Sequence, residues 1–272
     1  MFDFLKKSIS ITLTIISLIF TFVPEDCFGL VNLLNVKNDK INIIFNRGFL
    51  TIVVLGIVMI LYFIYRAVKW RITLKGHGYK IIVEYGDILK KTKGKKVINF
   101  DECFTTSVGH SPWDVKEASV CGQYLLESPI HNMQELINKN GLKSASEKSL
   151  FDNKDRYLSG SLIPNGDYLL MAFAPLDKDG RARFSSKEKY LNSLSTLWNE
   201  IDKYYEQKDV YIPLLGAGIT RFEDKLLTQQ ELLDMIIYSY KLSSYKIKSP
   251  YKLHIVCKRN SDFSLNKIGT TL

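Results

Sequence analysis

The segment Ile212-Pro213-Leu214-Leu215-Gly216-Ala217-Gly218-Ile219 decides how the second half of this chain is interpreted. An apolar run typical of a buried strand, residues 209–215, leads there directly into two glycines. Glycine lets backbone N–H groups approach a ligand closely, so such a turn can form a concavity that binds anions. An ordinary tight connection between two elements could have the same sequence, and the surrounding pattern must therefore be considered.

The surrounding pattern alternates short apolar runs with helix-start signals. Four further runs are predicted as strands, and several of them are apolar on both faces, as strands between helical layers are: residues 80–85, 96–100, 168–174 and 251–257. The helix-start signals are Ser111-Pro112, opening a helix towards Leu126, Ser128-Pro129, opening one that ends before Gly141, and the capping boxes Ser185/Glu188 and Thr228/Glu231. Strands alternating with helices predict a layered α/β domain over residues 79–272.

Residues 1–71 have a different composition. Residues 8–23 and 48–65 contain no charged side chain, and at 1.5 Å per residue each run approaches the roughly 30 Å thickness of a bilayer core. We predict a two-helix transmembrane hairpin with spans at about 4–23 and 48–66, followed by a juxtamembrane linker at 72–78. The first run could instead be a signal peptide, although no small-x-small cleavage site follows it.

Basic flanks predict the orientation of this hairpin. Lys6 and Lys7 precede the first span, and a basic group follows the second span closely. Because basic residues favour the cytoplasmic side, we expect a two-pass protein of the bacterial inner (cell) membrane with both termini in the cytoplasm. Four hydroxyl residues of the first span lie on one narrow helical stripe, at Ser10, Thr14, Ser17 and Thr21. They either bond to their own helix or form a seam or pore wall between several copies.

Charge and cysteine content narrow the classes of function. The 37 basic and 28 acidic residues give a net charge of +9, spread over both parts of the chain, which favours a membrane surface over nucleic acid as partner. The four cysteines and four histidines have no metal-ligand or catalytic spacing. The basic run between Lys90 and Lys96 could be a solvated turn or could lie against anionic lipid.

Gly86-Asp87-Ile88 follows the strand at 80–85, and Val97-Ile98-Asn99 lies about ten residues further on. Together with the glycine turn described above, this order resembles the macro domain, which binds ADP-ribose. The resemblance covers about residues 79–260 and implies a mixed sheet flanked by helices. It also implies that Asp87, with the Ile88 amide, contacts the adenine amino group. The loop Gly216-Ala217-Gly218-Ile219 would then wrap the diphosphate and distal ribose, with Phe222 packed beside it and Leu215, Thr220 and Arg221 included in the candidate site.

The chain departs from the hydrolytic members of the macro-domain family. Those members read Val-Asn-Ala-Ala-Asn followed by a glycine triplet, whereas here Asn99 matches the first asparagine and Glu102 occupies the position of the second. Asp101 and Glu102 could face a modified distal ribose or could be a solvated strand end. His110 lies in the loop expected near the ligand. The resemblance therefore favours a ligand sensor without catalytic residues, cofactor or metal over a membrane-tethered ADP-ribosyl hydrolase.

Two spans followed by a divergent macro domain resemble the transmembrane macro-domain effectors of type II Thoeris antiphage systems. The resemblance implies a partner, a TIR-domain enzyme that consumes NAD and makes a histidine-linked ADP-ribose. It further implies that the signal causes oligomerisation and membrane disruption, as in abortive infection. An unrelated anchored α/β domain that recruits a partner is the third interpretation that the residues allow.

Overall fold

The computed structural model describes residues 2–31, 38–218, 221–222, 227–259 and 263–268. The chain divides into two compact units, Met1–Lys69 and Trp70–Leu272. The first unit contains helix α1 (Phe2–Phe22), a short 3-10 helix (Glu25–Gly29) and helix α2 (Asp39–Val68). Both helices are long and apolar enough to cross a membrane.

Helix α2 begins nine residues before the span predicted at residue 48, because polar side chains organise its first turns. The Asn38 side chain accepts hydrogen bonds from the backbone N–H groups of Lys40 and Ile41 and so caps the helix. The buried amides of Asn42 and Asn46 donate to the Val31 carbonyl over 3.0 and 2.6 Å. These contacts fasten the connecting turn to α2.

The hydroxyl stripe of α1 is exposed in this unit. The hydroxyls of Thr14 and Thr21 donate to the carbonyls of Ser10 and Ser17 over 3.0 and 2.8 Å. These are the bonds within one helix that the first interpretation of the stripe expects. The face of α1 that is buried in the hairpin carries Ser8, Thr12 and Ile16 instead.

The second unit is built on a mixed sheet flanked by helices, which confirms the predicted fold class. Among the described residues it has seven strands in the order β1-β2-β9-β7-β3-β5-β4. In chain order these strands are β1 (Arg71–Lys75), β2 (Lys80–Tyr85), β3 (Lys95–Asp101), β4 (Leu162–Asn165), β5 (Tyr168–Ala174), β7 (Val210–Pro213) and β9 (Leu253–Cys257). β2, β9, β7, β3 and β5 run parallel, and the edge strands β1 and β4 are antiparallel to their neighbours. A separate parallel pair joins β6 (Arg183–Phe184) to β8 (Arg221–Phe222).

Helices cover the two faces of the sheet with separate apolar cores. Helices α5 (Lys187–Tyr204) and α6 (Gln229–Leu242) bury one core, in which the Trp198 and Tyr240 rings lie 5.0 Å apart. Helices α3 (Val120–Glu127) and α4 (Met133–Lys139) bury the other. Because both faces are covered, the strands read as continuous apolar runs, which is why they could be recognised in the sequence.

Three sequence expectations about local structure are wrong. Residues 71–75, placed mainly in the predicted linker, form β1, in which Arg71 pairs with Glu84 of β2. The helix expected from Pro112 begins only at Val120, capped by Ser119, and the helix expected from Pro129 begins at Met133, capped by Asn132. In each case a later polar residue provides the capping oxygen, so the Ser-Pro pair belongs to the preceding loop.

The capping predictions for α5 and α6 agree better with the structure. Thr228 and Glu231 form the predicted reciprocal capping box of α6. For α5 the cap is Ser186, whose hydroxyl accepts from the Lys189 N–H, rather than Ser185. The strand predicted at 209–215 ends at Pro213, and Leu214 already belongs to the glycine turn.

Candidate functional site

A cleft of about 420 Å³ lies where the parallel strands end. Part of its wall comes from segments that close or follow the five parallel strands, within residues 86–88, 99–101, 173–182, 213–218 and 256–258, and the rest comes from within residues 112–121 and from Gln229. The carboxyl ends of parallel strands meet at one edge of a sheet, where ligands of open α/β sheets bind. The topology therefore gathers short segments from distant parts of the sequence into one site.

The glycine turn after β7 is held in a defined conformation. Gly216 has a φ of +82°, in the left-handed region that favours glycine. The Ala217 N–H donates to the Leu214 carbonyl over 3.2 Å and closes the turn. From beneath, the buried Tyr190 hydroxyl donates to the Leu215 carbonyl over 3.0 Å. Gly216, Ala217 and Gly218 line the cleft, so the turn presents backbone to whatever binds there.

The turn after β2 lines another part of the cleft. The Gly86 N–H donates to the Cys257 carbonyl over 3.1 Å and extends the pairing of β2 with β9. One carboxylate oxygen of Asp87 accepts from the Leu89 N–H over 3.0 Å, which fixes the side chain. Ile88 is buried and also lines the cleft. This arrangement leaves a half-buried, oriented carboxylate at the β2 end of the site.

The end of β3 contributes Asn99 and Asp101 to the cleft. The Asp101 carboxylate accepts from the N–H groups of Cys103 and Thr105 over 2.8 and 3.2 Å. Burial raises the pKa of Asp101 even though these hydrogen bonds favour the charged form. Burial also raises the pKa of the Cys121 thiol, which lines the same wall, well above its ordinary value. A thiol of this kind stays protonated and is a poor nucleophile.

Three residues predicted for the site lie elsewhere. Glu102 is buried outside the cleft, where its carboxylate accepts from the Ser149 hydroxyl over 2.6 Å and the Leu176 N–H over 3.1 Å. His110 is exposed and does not line the cleft, although its loop does. Leu215 is buried beneath the glycine turn. Glu102 and Leu215 thus stabilise the walls, and sequence alone could not distinguish that role from ligand contact.

The remaining predicted residues are only partly described. Ile219 and Thr220 lie outside the described residues. Arg221 and Phe222 form β8, whose backbone pairs with β6. Of the fourteen candidate residues, the structure therefore brings seven together in the cleft: Asp87, Ile88, Asn99, Asp101, Gly216, Ala217 and Gly218.

Sequence reasoning missed several cleft residues in two loops. The loop before α3 provides Trp113, Asp114 and Lys116, and the loop after β5 provides Gly180 and Arg181. The Lys116 ammonium donates hydrogen bonds to the carbonyls of His110 and Ser111 over 2.8 and 2.6 Å, so it stabilises its own loop. The first loop is the one in which His110 is expected near the ligand, but no motif singles out Trp113 or Asp114 within it. The second loop could have been found from its position directly after the predicted strand at 168–174.

This mixed sheet flanked by helices, with a cleft at the ends of its parallel strands, is the fold of macro-domain proteins. A family model described as "Thoeris protein ThsA, Macro domain" matches residues 81–258. The chain is 30% identical over 219 residues to Thoeris protein ThsA of Bacillus amyloliquefaciens (strain Y2), covering 77% of this chain and 73% of that protein. The chain belongs to the ThsA family of Thoeris proteins.

Solved macrodomain structures are also similar to this chain. A point mutant of the Oceanobacillus iheyensis macrodomain is 11% identical, with a TM-score of 0.47 and coverage of 72% of this chain and 93% of that one. A second mutant, solved with ADPR, is 11% identical, with a TM-score of 0.46 and coverage of 71% and 92%. The macrodomain of Thermus aquaticus DarG is 15% identical, with a TM-score of 0.39 and coverage of 66% and 98%.

Proposed function

We propose that this protein is a membrane-anchored effector of Thoeris defence whose macro domain binds an ADP-ribose-derived signal. Membership of the ThsA family carries the proposal, because that family is defined on the macro domain itself. The cleft supports it through two oriented elements, the Asp87 carboxylate and the glycine turn at Gly216. A carboxylate can accept from the amino group of adenine, and a glycine turn can donate N–H groups to a diphosphate.

The signal would come from a partner enzyme with a TIR domain that consumes NAD, and histidine-linked ADP-ribose is the form we expect. The two long apolar helices would anchor the sensor in the bilayer. If an oligomeric form binds the signal more tightly than the monomer, the signal shifts the population towards the oligomer. Clustered hairpins would then disrupt the membrane, with the exposed hydroxyl stripe of α1 as a contact between copies.

The buried position of Glu102 favours a sensor over a hydrolase. In hydrolytic macro domains a second asparagine stands at the corresponding sequence position. Here the carboxylate is hydrogen-bonded to Ser149 and Leu176 and lies 3.7 Å from the Arg156 guanidinium. A carboxylate committed to the protein in this way cannot also position a water molecule in the cleft. The cleft residues are accordingly proposed to bind and not to react.

A charge reversal at Asp87 tests the proposed binding mode. In Asp87→Lys the acceptor for the adenine amino group is replaced by a cation, and the affinity for ADP-ribose should fall by more than about tenfold. The measurement is calorimetric titration of the detergent-solubilised full chain with ADP-ribose. Asp202→Lys is the matched control, because Asp202 is an exposed residue of α5 outside the cleft. Equal affinities for the two variants would contradict the assignment.

A further inference from the structure

The cleft has a second end that the proposed adenine and diphosphate contacts do not explain. In the sheet order, the Asp87 turn follows β2 at one end, the glycine turn follows β7 in the middle, and the loop 175–182 follows β5 at the other end. A ligand that runs from Asp87 across the glycine turn therefore arrives beside the β5 loop. The wall at that end includes Trp113 and Gly180.

Trp113 is a large aromatic residue that remains 49% exposed while lining the cleft. Single exposed apolar side chains are common on protein surfaces and need no function. A tryptophan in the wall of a concave site is different, because aromatic side chains in such walls provide ligand contact area. Its surroundings decide whether Trp113 is held in place or merely left in solvent.

The loop that carries Trp113 is fixed by its own hydrogen bonds. Within residues 107–116, the Asp114 carboxylate accepts from the Ser107 hydroxyl over 3.1 Å and from the Ser111 N–H over 3.0 Å. The Lys116 ammonium bonds to two carbonyls of the same loop. Backbone bonds join the two sides of the loop over 2.9 and 3.1 Å. The tryptophan is therefore presented by a preorganised loop, and binding need not first order it.

Two residues outside the loop support the indole ring. The Phe151 ring stacks on it with centroids 6.2 Å apart and planes inclined by 22°. Gly180 packs against both: a Cβ placed there would lie 2.7 Å from the Trp113 Cβ and 3.0 Å from the Phe151 ring. The glycine also has a φ of +76°. A side chain at residue 180 would therefore displace the tryptophan.

We propose that Trp113 is a stacking platform for a planar heteroaromatic ring attached to the terminal ribose of the signal. The inference rests on the proposed function, since it requires an ADP-ribose body that spans the cleft from Asp87. The face of an indole attracts both π-systems and cations, so it accepts a neutral heteroaromatic ring as well as one that carries positive charge. The platform thus selects ligands by their terminal group and leaves the ADP-ribose body to the rest of the cleft.

The test compares three probes on the detergent-solubilised full chain by calorimetry. They are ADP-ribose, ADP-ribose with an imidazole ring on the terminal carbon, and the same derivative with a ring-less isopropylamine, each derivative in both anomers. We expect one imidazole anomer to bind roughly tenfold more tightly than its isopropylamine counterpart. Trp113→Leu should abolish this preference, so that the imidazole and isopropylamine derivatives bind with equal affinity.

Control variants separate stacking from a general effect on the protein. Trp70 is also 49% exposed but does not line the cleft, so Trp70→Leu should keep the full preference. Trp113→Phe retains a ring and should keep most of it, whereas Gly180→Ala should reduce it by displacing the tryptophan. Melting temperatures establish that each variant is folded.

Each outcome has a distinct meaning. An imidazole derivative that binds no more tightly than the ring-less one overturns the platform, as does a preference that survives in Trp113→Leu. Binding of ADP-ribose in either case leaves the proposed function intact. If no probe binds the wild-type protein, the proposed function itself fails, and the platform fails with it.

Discussion

At Gly216 the backbone conformation and the surrounding space both restrict which side chain the turn can hold. Its φ of +82° is unfavourable for residues with a Cβ, and an added Cβ would lie 3.4 Å from Leu232. Two positions further on, Gly218 is outside the left-handed region, and an added Cβ would have no described atom within 4 Å. The two glycines therefore make different demands although the sequence shows them as one motif.

This difference predicts unequal effects of alanine in the turn. Gly216→Ala should destabilise the protein by about 1–2 kcal/mol and weaken ADP-ribose binding, because the turn must relax or bear the strain. Gly218→Ala should leave the stability within about 0.5 kcal/mol of wild type. Thermal melts with and without ADP-ribose measure both effects. Equal loss of stability in the two variants would show that the φ angle at Gly216 does not constrain the turn.

At the scale of secondary-structure elements, β2, β7 and β9 meet in a polar cluster on one face of the sheet. His254 of β9 is buried, with its Nδ1 3.3 Å from a Glu84 carboxylate oxygen and its Nε2 3.4 Å from an Asp209 oxygen. The Lys91 ammonium pairs with Glu84 over 2.6 Å, and the Tyr211 ring lies 4.3 Å from the imidazole. Burial lowers the pKa of His254, outweighing the neighbouring carboxylates that raise it.

The lowered pKa of His254 predicts how acid affects the folded protein. As the pH decreases, the unfolded chain binds a proton at His254 near pH 6.5, and the folded protein binds it only at a lower pH. The stability that neutral His254 contributes is therefore complete above that pH and is lost as the pH falls towards the lower pKa of the folded state. As the pH decreases from 6.5, the free energy of unfolding should decrease more steeply in wild type than in His254→Gln. The difference between the two slopes should be at most about 1.4 kcal/mol per pH unit.

Melting temperatures measured across this pH range test the prediction. His131→Gln is the matched control, since it removes an exposed histidine in a loop of the α/β domain, outside this cluster. Parallel pH profiles for wild type and His254→Gln would contradict the assigned role of burial.

The elements also show which parts of the fold the sequence could predict. Strands buried on both faces, such as β5 and β9, were predicted closely because their apolar runs are continuous. The edge strand β1 alternates exposed and half-buried residues and has a charged residue at each end, Arg71 and Lys75, so its sequence resembles a linker. Charge runs were equally ambiguous: Lys95 is buried and pairs with Glu206 over 2.6 Å, although its sequence neighbourhood resembles a solvated turn. Such pairing joins residues more than a hundred positions apart, and composition cannot reveal it.

The candidate site was predictable only where a motif marks it. The Asp87 and Gly216 turns have characteristic residues, and both line the cleft. Trp113 and Arg181 lie in loops without a motif, and they reach the cleft only because of the sheet order. The sequence shows that residue 102 is a glutamate, but it does not show that the carboxylate accepts a hydrogen bond from the Ser149 hydroxyl. Long-range contacts of this kind require the structure.

At the scale of the whole molecule, the proposed membrane topology can be tested with a cysteine already present. Cys27 is exposed in the connection between α1 and α2, whereas Cys121 and Cys257 are buried and Cys103 is half-buried. If both termini are cytoplasmic, a membrane-impermeant maleimide should label the protein in intact spheroplasts. Cys27→Ser should abolish that labelling and leave only the labelling seen after lysis. Labelling of wild type only after lysis would reverse or refute the proposed orientation.

The position of β9 has a consequence for how new copies of the protein are made. Among the strands of the described residues it is the last in chain order, yet it lies between β2 and β7 inside the sheet and leads into residues that line the cleft. As the ribosome elongates the polypeptide, the apolar helices emerge early, and the sheet cannot close until residues 253–257 follow. Under the proposed function, a copy that is still being synthesised therefore cannot bind ADP-ribose, and a copy truncated before residue 253 should never respond to infection.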